Sequence, residues 1–198
     1  MAADHAQRAI SAYTDELSNT PGLDRIANEG MLFRNSFVTN SICAPSRAAI
    51  LTGKYSHLNG KIDNISPFNP NQWTFTEELH NAGYRTSLIG KHHLQAVPRG
   101  FDEFRGLIGQ GSYYSPRFVH NGDTLDAEPG YTSTLITDYV IEELKRNAGG
   151  DQPFCMLYWH KAPHRNWMPD TSDPPGLPDR RFLVPANPRD DYKGRPAA

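Results

Sequence analysis

Apolar positions recur at two spacings along this chain, and the alternation between them predicts its elements. Thr20 offers a cap and Pro21 suits a first helical turn, while Leu23, Ile26 and Ala27 share one face before Gly30 ends the run. Residues 31–38 then read as a strand. Residues 46–51 read as the start of a second helix, 74–82 as a third that stops at Gly83, and 84–89 as a further strand. After a Gly- and Tyr-rich connection, Leu135, Ile136, Tyr139, Val140 and Leu144 recur at three- and four-residue steps, which predicts an amphipathic helix over 132–147. A short apolar strand, 154–159, follows it, and no internal repeat is present.

Helix and strand in alternation, joined by short turns, imply an α/β fold with an open and mostly parallel sheet covered by helices. Ligands of such sheets sit beyond the carboxyl ends of the strands. Chemistry is therefore expected in three loops: residues 40–47, then Gly90-Lys91-His92-His93, then His160-Lys161-Ala162-Pro163-His164. A polar loop residue taken singly is more often solvated than functional; three such loops at one sheet edge shift that balance.

Composition narrows the classes. A length of 198 residues with 37% hydrophobic content permits one domain with a real core, or at most two small ones. Lys plus Arg is 20 and Asp plus Glu is 22; the net charge of −2 and the lack of a basic run argue against a nucleic-acid partner. No window approaches the roughly 18 consecutive apolar residues of a membrane span, and Met1-Ala2-Ala3-Asp4-His5 lacks the regions of a signal peptide. As written, the chain reads as soluble and untargeted. Two cysteines, Cys43 and Cys155, make no disulfide scaffold, though a single bridge between them stays open. From Pro169 the composition turns to Pro, Asp and Arg, so residues 169–198 read as mostly extended loop.

The most informative stretch is Cys43-Ala44-Pro45-Ser46-Arg47 followed, after three residues, by Leu51-Thr52-Gly53. It resembles the signature of the type I, formylglycine-dependent sulfatases, whose seven fixed positions would match a given site by chance on the order of once in a billion. Thr20-Pro21 with Asp24-Arg25-Ile26-Ala27, the Gly90-Lys91-x-His93 turn and Lys161-Ala162-Pro163-His164 fall in the same family order. The resemblance implies an alkaline-phosphatase-like sandwich, with residues 1–198 forming part of an N-terminal catalytic domain that is incomplete at both ends.

It also implies roles. Cys43 would be oxidised by a formylglycine-generating or anaerobic maturing enzyme to an aldehyde whose hydrate carries two hydroxyls on one carbon. One of these attacks sulfur and expels the alcohol, and loss of the other's proton releases sulfate. Cys43, just ahead of the helix that begins near Ser46, would also place negative charge against free backbone N–H groups. Arg47, one turn on, would hold the hydrate or a sulfate oxygen. Lys91 and His93, two apart on an extended backbone, would point to the same side as the family's sulfate-binding Lys and its His partner. His164 would contact sulfate and protonate the leaving alcohol. His92, His160 and Lys161 take no role from the resemblance.

Relatives bind one divalent cation, usually calcium, through an Asp-Asp pair, a later Asp-Asn pair and the formylglycine. The candidate ligands here are Asp4 and Cys43, with Ala3 standing where the first Asp belongs, while Asp190-Asp191 look like a connecting segment. The stretch Gly109-Gln110-Gly111-Ser112-Tyr113-Tyr114 and the run 159–170 look most like bacterial sulfatases acting on sulfated carbohydrates, including N-acetylglucosamine 6-O-sulfate. Tyr113, Tyr114 and Trp167 read equally as sugar-stacking or as core and hinge residues. The expected partner is a sulfated sugar, and the expected location, by family analogy, is periplasmic or secreted. Two other readings stand beside hydrolysis: a sulfatase-like binding module or inactive fragment, and a phosphoryl-transfer relative on the same fold.

Overall fold

A computed structural model describes residues 1–2, 5–14 and 17–172. In chain order the elements are a single 3-10 turn (Gln7–Ala9), α1 (Pro21–Glu29), α2 (Cys43–Thr52), α3 (Ser56–Asn59), α4 (Phe75–Asn81), β1 (Arg85–Lys91), β2 (Glu103–Leu107), β3 (Phe118–His120), β4 (Asp123–Thr124), α5 (Thr132–Asn147) and β5 (Phe154–Trp159). The sheet order is β4-β3-β2-β1-β5. Its centre is parallel, with β1 between β2 and β5, while β3 and β4 continue it as antiparallel strands.

Strand alternation splits the core into two layers on opposite sides of the sheet. Leu88 of β1 and Phe104 of β2 pack with Ala44, Ala48 and Leu51 of α2 and with Trp159. Their neighbours of opposite parity, Ile89 and Leu107, pack with Phe118 and with Ile136 and Val140 of α5. The result is three layers, α2 and α5 on either side of the strands, which is the α/β class expected. Each such fully buried Leu, Ile or Phe contributes about 1.5–3 kcal/mol. The backbone of Met1 adds one parallel pair beyond β5: its amino group donates to Tyr158 O, and its carbonyl accepts from His160 N at 3.0 Å.

Several expectations need correction. Residues 31–38 form no strand, and Met31, Phe33, Phe37 and Val38 are exposed. The apolar pattern is there, but among the described residues no strand lies alongside to take up the backbone N–H and C=O groups. The second helix begins at Cys43, three residues earlier than the sequence suggests, and β1 runs on to Lys91. Strands β2 to β4 and the one-turn α3 lie in stretches where the apolar spacing predicts no element. Of the segment 169–198 read as extended loop, residues 173–198 lie outside the described residues, as does Asp4.

Candidate active site

The sheet edge beyond the carboxyl ends of β1 and β5 gathers the three loops picked out by the sequence. Cys43 is the first residue of α2, where the positive end of the helix dipole lies. Three features start the helix there. Ile42 holds an extended cap conformation, with φ −126° and ψ 157°. Pro45 falls in the first turn, where its missing N–H costs nothing. The Ala44 N–H, which has no partner within the helix, donates to Asn64 Oδ1 at 3.0 Å. Cys43 itself is buried, with 8% of its surface exposed.

Lys91, the last residue of β1, points its Nζ at Cys43 Sγ from 3.5 Å. One turn along α2, the fully buried Arg47 donates from Nη1 to Lys91 O at 2.6 Å and lays its guanidinium 4.7 Å from the centre of the Trp159 ring. Gly90 makes this junction possible: at φ +115°, a Cβ there would stand 1.9 Å from Trp159 O. His93 also reaches the site, but not by the strand alternation expected. Its φ is +54°, so the chain has turned out of the strand and a left-handed residue swings the ring inward.

The field inside this pocket is positive. Burial, then Lys91, Lys61, Arg47 and His164, lower the His93 pKa to about 4. Burial, then Arg47 and His93, lower that of His92 to about 4 as well. Both rings are neutral near pH 7, while Arg47, Lys61, Lys91 and Lys161 are all buried basic side chains, and burial lowers the Lys61 pKa. Such a setting favours an anion. His93 Nδ1 is buried and has no hydrogen-bond partner among the described residues.

A cleft of about 340 Å³ opens above Cys43, walled by Asn64, Gln110, His164, Arg165 and Trp167 among others. His164 follows a cis Ala162–Pro163 bond, and its backbone carbonyl accepts from Tyr113 OH at 2.5 Å. Tyr113 is therefore a buried pin, with the Lys161 ammonium 5.0 Å from its ring centre, and Tyr114 is tied through its OH to Pro169 O. Trp167 is the aromatic left open to a ligand, 71% exposed at the cleft. His160 packs 4.3 Å from the Tyr158 ring, and burial followed by the Met1 amino group lowers its pKa. Cys155 lies in β5; it and Cys43 are both free thiols, so no bridge joins them.

The five candidate catalytic residues Cys43, Arg47, Lys91, His93 and His164 thus come together. Sequence reasoning missed Lys61, whose Nζ donates to Ser66 O, and Asn64, and it placed Gln110 in a stretch resembling carbohydrate sulfatases without giving it a role of its own. Nothing local marks Lys61 or Asn64, since each belongs to the site only through contacts far along the chain.

The cation expectation is a different matter. A second cavity, of about 320 Å³, is lined by Cys43 together with Met1, His5 and Ser46, but His5 Nε2 is engaged with Ala9 O at 3.0 Å. Among the described residues no three His, Cys, Asp or Glu side chains gather. The described residues by themselves thus offer no cluster of carboxylates of the kind that anchors a hard cation.

Fold and site together define an alkaline-phosphatase-like α/β protein with buried basic side chains gathered around a cysteine at a helix N-terminus. The family model described as Sulfatase matches residues 2–181. The chain is 48% identical over 198 residues to the N-acetylglucosamine-6-O-sulfatase of Bacteroides thetaiotaomicron, covering 98% of this chain and 35% of that protein. It is 36% identical over 190 residues to arylsulfatase J of Mus musculus, covering 83% and 31% respectively. Among solved structures it superimposes on BT4656 in complex with its substrate D-glucosamine-2-N,6-O-disulfate, with TM-score 0.87 and 45% identity over 99% of this chain and 40% of that one. The chain belongs to the sulfatase family. It spans about a third of the length of the curated relatives it matches.

Proposed function

We propose that this chain carries the nucleophile half of a sulfuric ester hydrolase that removes sulfate from a sulfated carbohydrate. The observation that supports this best is Lys91 Nζ set 3.5 Å from Cys43 Sγ, at the N-terminus of α2 and among buried basic side chains. Cavities on two sides of Cys43 leave room for an oxygen-bearing group in place of the sulfur, so the setting suits formylglycine. When formed, that group supplies a geminal hydroxyl able to attack sulfur.

The other residues bind, orient and move protons. Lys91 and the α2 N-terminus hold negative charge at the Cys43 position. Arg47 fixes Lys91 and adds to the positive field. Neutral His93 offers Nδ1 to a proton at residue 43, and His164, in the cleft wall, protonates the departing sugar oxygen. Residues 1–198 are read as part of one catalytic domain, the sulfated sugar as its ligand, and a formylglycine-generating or anaerobic maturing enzyme as its partner. A periplasmic or secreted location agrees with relatives named as extracellular sulfatases.

The test is co-expression of the full-length gene product with a formylglycine-generating enzyme. Mass analysis of the peptide holding residue 43 should show the aldehyde, and the product should release sulfate from N-acetylglucosamine 6-O-sulfate. A thiol retained at residue 43 would overturn the reading. Sugar binding without turnover would favour the binding module, and faster turnover of the matching phosphate monoester would favour the phosphoryl-transfer relative.

A further inference from the structure

Gln110 has no role in the chemistry above, yet its placement is costly in conformation. It sits at the tip of a tight turn just after β2, where Gly111 N–H donates to Ile108 O at 3.0 Å. Gly109 and Gly111 on either side hold φ of +59° and +69°. A side chain at Gly111 would meet both that left-handed backbone and Leu107 Cδ1, 2.7 Å from its Cβ, so glycine is needed there. The segment that follows is fastened at once. Ser112 O accepts from Thr132 Oγ1 at 2.6 Å, Tyr113 O accepts from Thr132 N at 2.8 Å, and Tyr113 OH grips His164 O at 2.5 Å. The turn is thus tied to the start of α5 and to the loop of a candidate catalytic residue, and it presents Gln110 to the same cleft that Cys43 floors.

Gln110 Oε1 is buried, and it has no hydrogen-bond partner among the described residues. A buried amide oxygen left unpaired is a standing cost, which a bound ligand can remove by supplying a donor. The chemistry of the ligand says which part supplies it. An ionised sulfate ester offers only acceptor oxygens, so it has nothing to give Oε1. A carbohydrate ring offers hydroxyl groups, and an amino sugar also an amide N–H.

We propose that Gln110 determines specificity: its Oε1 accepts a hydrogen bond from a hydroxyl or amide N–H of the sugar ring whose sulfate ester lies over Cys43. The assignment rests on the sulfated-carbohydrate reading. The cationic pocket holds the sulfate and Gln110 reads the sugar, so an aryl sulfate, which lacks a donor beside its ester, leaves the buried oxygen unpaired. A site built to bond a substrate hydroxyl discriminates strongly against an analogue without one.

The experiment compares the matured full-length protein with its Gln110→Met variant on N-acetylglucosamine 6-O-sulfate and on 4-nitrophenyl sulfate. The expected result is a fall on the order of 10- to 100-fold in the ratio of kcat/KM for the sugar to that for the aryl ester. Equal losses on the two substrates, or no loss on the sugar, would overturn the role of Gln110. A wild-type protein that cleaves the aryl ester but neither cleaves nor binds the sugar would instead overturn the carbohydrate reading beneath it. Calorimetric titration of the unmatured protein, with Cys43 still a thiol, gives the same comparison without turnover: the sugar should bind the Gln110→Met variant about tenfold more weakly.

Discussion

Arg47 donates to the main-chain oxygen of Lys91 at 2.6 Å, so the second turn of α2 and the last residue of β1 are fastened by a buried guanidinium. The distance between Cys43 and Lys91 is thereby set from behind, by a residue one helical turn from the cysteine. The same guanidinium rests on Trp159 at the end of β5, so Arg47 joins three elements at the edge where the site lies.

Replacing Arg47 by Lys should test this. Lys keeps the charge but not the planar fork that spans Lys91 and Trp159. Loss of the bond to a buried carbonyl, together with the stacking, is expected to lower stability by about 1–3 kcal/mol. Urea denaturation would show this, and sulfate release should fall with it. Rescue to wild-type values by Lys would mean that only the charge matters.

Lys91→Met keeps length and bulk but deletes the charge facing Cys43. Removing one preorganised charge from a buried reaction centre typically costs about 100- to 1000-fold in rate. The drop should appear in kcat for sulfate release, with the far-ultraviolet dichroism of the wild type retained. A loss confined to KM would place Lys91 in substrate capture alone.

Acid should unfold this protein through its buried imidazoles. The His92 pKa lies at about 4 in the fold, chiefly through burial, against about 6.5 in an open chain. The unfolded chain takes up the proton first, so stability is greatest above pH 6.5 and declines as pH falls toward 4. Within that window His92 contributes a slope of up to about 1.4 kcal/mol per pH unit, and His93 acts in the same direction. His92→Asn can still accept the Leu94 N–H that His92 Nδ1 accepts at 3.3 Å, but it does not titrate. Melting temperature measured from pH 7 to 4 should fall less steeply for that variant.

How much of this was legible in the sequence depends on how local the cause was. Helix α5 and strand β5 match the segments read from spacing, because apolar residues at three- and four-residue steps decide a helix by themselves. Thr74 caps α4 by accepting from Glu77 N at 3.3 Å, a contact made within four residues. The start of α2 at Cys43 has local signals in Ile42 and Pro45, but the partner of the Ala44 N–H is Asn64, twenty residues downstream, which the residues around Cys43 do not reveal. Residues 31–38 carry the right composition for a strand without a neighbour among the described residues to pair with, and composition alone does not reveal that. The motif brought out Cys43, Arg47, Lys91, His93 and His164. Lys61 stays hidden because a buried polar side chain leaves no periodic trace, and Gln110 is visible only as one residue of a Gly- and Tyr-rich stretch.

Glu143 offers a test of the scaffold away from the site. It sits on α5 with only 2% of its side chain exposed, accepting from Arg85 Nε at 2.8 Å, Arg146 Nη1 at 2.7 Å and Asn147 Nδ2 at 3.3 Å. Through Arg85 it ties the last turns of α5 to the first residue of β1, and hydrogen bonding to Glu143 raises the Arg85 pKa. Breaking a fully buried pair costs about 3–5 kcal/mol, but Arg85 keeps 26% of its side chain in contact with solvent and Arg146 keeps 57%, so both can be partly rehydrated. Glu143→Gln retains the shape and loses the charge, and it should lower stability by about 2 kcal/mol. Because the pair lies at the opposite end of β1 from Lys91, the denaturation midpoint should drop while kcat for sulfate release stays within about twofold at temperatures where the variant is folded. A parallel fall in kcat would show that the register of β1, and with it the approach of Lys91 to Cys43, is set from the α5 side as well.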